Sequence, residues 1–233
     1  YLAGDIYVGG LAGYLSGGSI TNCYSTGIVS GGAAGGLAGG LCEGVITNSY
    51  SVSSVDAFWG GGLVGMQIGE MISGCFSSGD VTSISSNESY VGGLVGRQVF
   101  GEIHNCYSRA SITCDGQDYP LPAGGLVGLA QGSIRNCYST GRISSNADPN
   151  YIGGLVGTGD TVSQSFWDIQ SSGITHSAGG TGLETEQMMR QETFADWDFA
   201  FVWSICDGTN YPRLQWQIPE ADWMCPEIGR AHV

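Results

Sequence analysis

The pentapeptide G-G-L-[AV]-G recurs six times, beginning at Gly9, Gly35, Gly61, Gly92, Gly124 and Gly153, with spacings of 26, 26, 31, 32 and 29 residues. A registered internal period of this length marks a stacked repeat, and no other feature limits the fold as strongly. A second block follows each copy: I-T-N-C-Y-S from Ile20, I-T-N-S-Y-S from Ile46, I-S-G-C-F-S from Ile72, I-H-N-C-Y-S from Ile103 and I-R-N-C-Y-S from Ile134. The sixth block degrades to V-S-Q-S-F-W from Val162. A third apolar position, Val29, Val55, Val81, Ile112 and Ile143, completes the unit. Each unit thus holds three short β-type runs punctuated by Gly, Asn and Ser, and none holds an amphipathic helix. The expected fold is all-β: a parallel β-solenoid, β-helix-like, of about six coils. The coils stack ~4.8 Å apart, so the array spans roughly 30 Å. The longer insertions, 84–89, 114–122 and 144–150, are expected to bulge from one side.

The equivalent residues form ladders. Leu11, Leu37, Leu63, Leu94, Leu126 and Leu155 are expected to stack in the interior. The aromatic slot, Tyr24, Tyr50, Phe76, Tyr107, Tyr138 and Phe166, accepts Phe, so the ring matters and the hydroxyl does not; packing is the favoured role and sugar stacking the alternative. Strand parity does not settle which way the rings face, because Ile20 and Cys23 differ by three and a turn must intervene at Asn22. Asn22, Asn48, Asn105 and Asn136 suit a left-handed backbone, as does Gly74 in the same slot, whereas Gln164 suits it less. Cys23, Cys75, Cys106 and Cys137 alternate with Ser49 and Ser165, so that slot wants something small, and a neighbour spacing of ~4.8 Å exceeds the ~3.8 Å of relaxed disulfide Cβ atoms. Cys42, Cys114, Cys206 and Cys225 stand outside the ladder; an oxidising compartment permits Cys206–Cys225 among three connectivities.

The G-G-L-V-G and G-x-I-x-N-C-Y-S pattern resembles the GLUG motif repeat, and the segment from Ser165 through S-F-W-D-I-Q to N-Y-P-R-L-Q-W at Trp216 resembles the usual end of such arrays. The resemblance implies a secreted or surface bacterial protein, adhesin-like or the flank of a peptidase, with no established catalysis in the repeat itself. It divides the chain into repeats at 1–170, a cap at 171–217 and a linker at 218–227 to a further module. The stretch I-P-E-A-D-W-M-C-P-E resembles the lead into a dockerin-like calcium module, whose calcium site would lie beyond this sequence.

Composition supports these expectations. Glycine contributes 41 of 233 residues, Asp and Glu 21, and Lys and Arg 7, all of them Arg, for a net charge of −14. Nucleic-acid binding needs a basic footprint that is missing here, as does attraction to anionic membranes. No apolar run reaches the ~18 residues needed to span a bilayer. The chain starts at Tyr1 inside a repeat and is read as a fragment of a larger chain. Its last residues, E-I-G-R-A-H-V, back-translate to a sequencing-adapter read-through, so 228–233 are expected to be an artefact.

The search for chemistry assigns no catalytic, cofactor-binding or metal residue. There is no H-E-x-x-H, no C-x-x-C and no phosphate loop. His104 and Arg135 share a slot on adjacent coils, and Glu70 and Glu102 lie one register apart; both pairs read as solvated surface. Arg97, Arg109, Arg135 and Arg142 are scattered. Around the end of the array, 183–192 suggests one short helix capped by Thr181 or Thr185. The Trp-rich segment that follows is expected to fold back over the last coil, near 153–166, as an end cap. The expected function is a non-catalytic spacer or binding stalk, with an extracellular glycan or surface protein as partner. The alternatives are a carbohydrate-binding solenoid and the accessory region of a larger hydrolase or peptidase.

Overall fold

The computed structural model describes residues 7–84, 88–115, 121–159 and 161–217. The expected 218–227 linker, the 228–233 tail and Cys225 lie outside these residues.

The chain winds as a parallel β-solenoid with three sheets. The first sheet begins with Tyr7–Gly9, Ile28–Gly35 and Ser54–Gly61. The second stacks Ala12–Ser16, Ala38–Cys42, Val64–Ser73, Val95–His104, Val127–Ala130 and Val156–Thr158. The third carries Tyr24–Ser25, Tyr50–Ser51, Phe76–Ser77, Tyr107–Ser108, Tyr138–Ser139 and Phe166–Asp168. Equivalent residues pair in register, as in Val29 with Val55, Ile46 with Ile72 and Phe76 with Tyr107. Among the described residues every pairing between coils is parallel, and the one antiparallel pair, Trp203–Ser204 with Arg213–Leu214, lies beyond the repeats. Insertions split the first sheet at one corner, between Val81–Ile84 and Tyr90–Gly92, Ile112–Asp115 and Ala123–Gly124, and Ile143–Ser145 and Ile152–Gly153. Side loops leave the stacked strands in register, which is why unequal repeat lengths are tolerated.

The main core holds the predicted leucine column: Leu37, Leu63, Leu94, Leu126 and Leu155 are fully buried, each beside a column of Ile46, Ile72, Ile103 and Ile134. Leu11, in the first coil, is 53% exposed instead. A second core gathers Val29, Val55, Val81, Ile112 and Ile143. Each buried leucine contributes roughly 2–3 kcal/mol through apolar area removed from water.

The G-G-L turn exists because two backbones meet there. A Cβ on Gly61 would lie 1.8 Å from the Val64 carbonyl oxygen, and one on Gly62 would lie 2.1 Å from the Gly93 carbonyl oxygen of the next coil. Leu63 N–H donates to the Leu94 carbonyl at 2.9 Å, stacking one turn on the next. The serine after the aromatic residue seals this joint. Ser25, Ser77 and Ser139 donate to the carbonyls of Gly36, Gly93 and Gly154 at 2.6, 2.5 and 2.7 Å.

The end of the array departs from expectation. Parallel pairing runs past residue 170: Thr181–Leu183 adds a seventh rung to the third sheet beside Phe166–Asp168. His176 and Ala178 also hydrogen-bond along the sixth coil, at Gly154 and Val156. Trp167 occupies the serine slot of that coil, is 5% exposed, and donates its indole N–H to the Ile174 carbonyl at 2.9 Å. The end of the main core is therefore filled by a residue of the last repeat. The expected helix at 183–192 shrinks to one turn, Thr185–Met188, with Glu184 as its N-cap, because Arg190 is extended at φ −100° and ψ 129°. A second turn, Ile169–Ser172, was not foreseen; it is capped by Asp168 and stopped by left-handed Gly173.

Candidate functional site

The left-handed turn anticipated at Asn22 occurs in every coil: φ is 55° at Asn22, 47° at Asn48, 61° at Gly74, 53° at Asn105, 53° at Asn136 and 45° at Gln164. Gln164 therefore adopts the same conformation despite its longer side chain. This residue resets the in–out alternation. The Cys or Ser after it points inward, the aromatic ring outward and the next Ser inward.

Inside, the Cys/Ser slot wants a small group that both donates and accepts. Cys75, Cys106 and Cys137 donate to the carbonyls two residues earlier at 3.2, 3.2 and 3.1 Å; Ser49 and Ser165 do the same at 2.8 Å. In turn they accept N–H groups from the preceding coil: Cys23 N–H reaches Ser49 Oγ at 3.1 Å and Cys137 N–H reaches Ser165 Oγ at 3.0 Å. The ladder thiols are free, and burial pushes Cys106 well above its ordinary pKa. Cys42 and Cys114 are also free, whereas Cys206 is disulfide-bonded.

Outside, the rings form a continuous stack. Centroids are 5.3 Å apart for Tyr24–Tyr50, 4.8 Å for Tyr50–Phe76, 5.0 Å for Phe76–Tyr107 and 5.0 Å for Tyr107–Tyr138, with planes within 10° of parallel. The rings spend their faces on one another and turn their edges outward. A sugar ring stacks on a face, so the faces shared between neighbouring rings from Tyr24 to Tyr138 are closed to that mode.

The Trp-rich segment does fold back onto the last coil, where Phe194 and Trp197 pack on Phe166, and it then runs on along this ladder as a lateral strap past the coil expected to hold it. It spans coils because its indoles reach the left-handed slots. Trp197 donates to the Gln164 carbonyl at 3.0 Å, Trp203 to Asn105 Oδ1 at 3.4 Å and Trp216 to the Gly74 carbonyl at 3.0 Å. Tyr138 donates to the Pro212 carbonyl at 2.6 Å, and Gln217 bonds the Tyr107 hydroxyl at 2.9 Å. Trp203, Phe194, Met188 and Leu214 are buried against Tyr107 and Tyr138. Burial raises the pKa of both tyrosines. Arg109 lies over the Tyr107 ring at 5.1 Å.

The strap is tied to the array at Asp168, a fully buried carboxylate. Oδ1 accepts Gln170 N–H at 2.8 Å and Ser171 N–H at 3.0 Å. Oδ2 accepts Thr185 Oγ1 at 2.7 Å and the Tyr211 hydroxyl at 2.5 Å. Sequence reasoning missed this node and the lateral path. The available signal was Phe166-Trp167-Asp168, where earlier repeats have an aromatic residue followed by Ser.

The other candidate pairs do not assemble a reactive centre. His104 stands opposite Ser73 and Arg135, with Nδ1 at 3.2 Å from Ser73 Oγ and Nε2 at 3.1 Å from Met71 Sδ. Burial, aided by the Arg135 charge, lowers its pKa. Glu102 lies opposite Met71 and pairs with Arg135 at 3.8 Å in a half-exposed contact, a geometry worth little. Arg97 packs against the rings of Trp59 and Tyr90 at 5.5 and 5.3 Å. Among the described residues no three His, Cys, Asp or Glu side chains gather as a metal site.

Parallel coils, registered ladders and a glycine-built turn define a Gly-rich β-solenoid repeat region. Three stretches of it, residues 4–30, 87–113 and 123–144, match the family described as "The GLUG motif". An 81-residue stretch is 33% identical to a "Putative Gly-rich membrane protein" of Evansella cellulosilytica, covering 31% of this chain and 9% of that one. The fold is similar to a crystal structure described as "a putative immunoglobulin A1 protease" from Bacteroides ovatus, with a TM-score of 0.55 and 28% identity over 92% of this chain and 65% of that one. The chain thus spans under two thirds of the length of either relative. Among the described residues no helix is long and apolar enough to cross a membrane.

Proposed function

We propose that this region is a non-catalytic, rigid spacer in a larger secreted or cell-surface bacterial chain, holding a neighbouring module or adhesive surface away from the cell. One observation carries the reading: the repeated reactive side chains are spent on the fold. Thiols and serines bridge coils, asparagines hold the left-handed turns, and tyrosines stack on each other and under the strap. The disulfide at Cys206 supports an oxidising compartment. The names of the relatives, one a membrane protein and one a protease, favour a surface setting and an accessory place beside a hydrolase. The purified chain is expected to leave immunoglobulin A1 intact on prolonged incubation; specific cleavage of its heavy chain would end the non-catalytic reading. Deleting whole repeats from the surface-displayed parent should shorten the displayed distance by ~4.8 Å per coil while leaving the parent's other activities in place.

A further inference from the structure

One slot of the second sheet changes character along the array. Leu15, Leu41, Gln67, Gln98 and Ala130 pair in register through it on successive coils. Both glutamines are fully buried. They occur in the two coils whose second-sheet strand passes the bend unbroken, Val64–Ser73 and Val95–His104. In the first two coils that strand stops at Ser16 and at Cys42, and the slot holds leucine. Passing the bend puts Glu70 and Gly101 in the left-handed region, at φ 53° and 95°, and leaves nearby carbonyls in need of donors.

The two amides answer that need in the same way. Gln67 Nε2 donates to the Glu70 carbonyl at 3.3 Å and to the Glu102 carbonyl of the next coil at 3.4 Å. Gln98 Nε2 donates to the Gly101 carbonyl at 3.1 Å and to the Ser133 carbonyl of the next coil at 3.5 Å. Glu70 and Gly101 each lie three residues on, and Glu102 and Ser133 are register partners. A Cβ on Gly132 would lie 2.7 Å from Gln98 Nε2, so glycine there lets the amide reach the bend. Turning either amide over would set its oxygen against these carbonyl oxygens, so the contacts fix which end is N–H.

That orientation leaves Gln67 Oε1 and Gln98 Oε1 buried, each without a hydrogen-bond donor among the described residues. Leu41 and Ala130, on either side in the slot, have no donor to give. An amide oxygen removed from water needs a partner. Because the amides are held alike, their oxygens stand one strand spacing apart, ~4.8 Å. A molecule at an ordinary ~2.8 Å from both would subtend about 120° between them, close to the angle between the two O–H bonds of water. A cation fits less well, since it takes roughly six oxygens and the nearby carbonyls already face amide N–H groups. Ala130 carries a methyl group where Leu15 and Leu41 carry a branched chain, so this end of the column has less side chain to fill it.

We infer that a single buried water binds between Gln67 and Gln98, donating one hydrogen bond to each amide oxygen. The ligand is neutral and a double donor, and it ties the third coil to the fourth inside the core. This inference is independent of the spacer reading, so its failure leaves the spacer tests unaffected.

The test has two arms on the full chain. A high-resolution crystal structure should show one peak at hydrogen-bond distance from both amide oxygens, with no further oxygen ligands. Oxygen-17 magnetic relaxation dispersion, which detects long-lived internal waters, should lose amplitude equivalent to about one water in Gln67→Leu and again in Gln98→Leu taken singly. Leucine already occupies this slot in the first two coils, and unchanged circular dichroism checks that each variant is wound. If a variant does not fold, the density of the unaltered chain decides alone. Density that is empty between the oxygens, or an amplitude unchanged in both folded variants, overturns the proposal. A peak ringed by several oxygens, with melting that shifts when sodium is exchanged for choline at constant ionic strength, overturns it too, by assigning the site to a cation.

Discussion

Replacing Asp168 with alanine should release the strap while leaving the solenoid wound. The carboxylate is fully buried and accepts four hydrogen bonds, two from the N–H groups of the Ile169–Ser172 turn and two from the hydroxyls of Thr185 and Tyr211. Loss of the N-cap costs ~1 kcal/mol, and each hydroxyl loses a bond to a charged acceptor worth ~1.5 kcal/mol at the low end, so the total is roughly 4 kcal/mol. With a urea dependence of roughly 2–3 kcal/mol per M, the midpoint of the affected transition falls by about 1–2 M. The assay has two probes. Tryptophan fluorescence reports the strap, which holds Trp197, Trp203 and Trp216, and far-ultraviolet circular dichroism reports the coils. In Asp168→Ala the fluorescence transition should move to lower urea and separate from the dichroism transition. Asp168→Asn is the control. Its amide oxygen still caps the turn, and both hydroxyls can rotate to accept from its N–H, so it should cost ~1–2 kcal/mol. Equal losses for Asn and Ala, or an alanine cost below ~1 kcal/mol, would refute the assignment of Asp168 as the tie.

Three further outcomes follow from the geometry. With disulfides intact, thiol reagents should label Cys23 and Cys42 in the native chain and reach buried Cys75, Cys106, Cys114 and Cys137 only on unfolding, which mass mapping of the labelled peptides reads directly. Gly62→Ala places a Cβ 2.1 Å from the Gly93 carbonyl and should abolish soluble expression, whereas Gly17→Ala, with nothing within 4 Å and φ of +69°, should cost only ~1 kcal/mol in a urea titration. Tyr90 and Tyr211 are raised from 10.0 to about 12, by burial first and then by their bonds to Glu88 and Asp168, and Tyr107 and Tyr138 are raised as well. The folded state keeps protons that the unfolded state releases. This stability is therefore complete below pH 10 and should fall as pH rises from 10 toward 12, checked by urea midpoints alongside tyrosinate absorbance.

The winding was legible in the sequence because Leu63 and its equivalents recur with a fixed partner block, and a column of identical residues is consistent with stacking in register. The Asn22 turn was legible too, since a spacing of three between two inward residues requires one that breaks alternation. The direction of the rings was not, because parity alone does not say whether that break adds or removes a half-step; the inward hydrogen bonds of Cys75 and Ser77 decide it. The strap's composition announced a cover for apolar surface. Its path depended on Trp167 already filling the end of the core, so the tryptophans that followed had only the side of the stack to cover. The buried role of Asp168 depends on Thr185 and Tyr211, distant in sequence and brought together only by that path.

Trp167 also fixes where growth can occur. The strap is anchored beside it and reaches a set number of coils back, so its coverage is measured from that end. Duplicating any earlier unit of 26–32 residues adds a coil upstream of the anchor. Each addition extends the aromatic ladder by one rung and leaves the rungs under the strap unchanged. In such an array the number of repeats sets the length of the ladder beyond the strap without rebuilding the closed end.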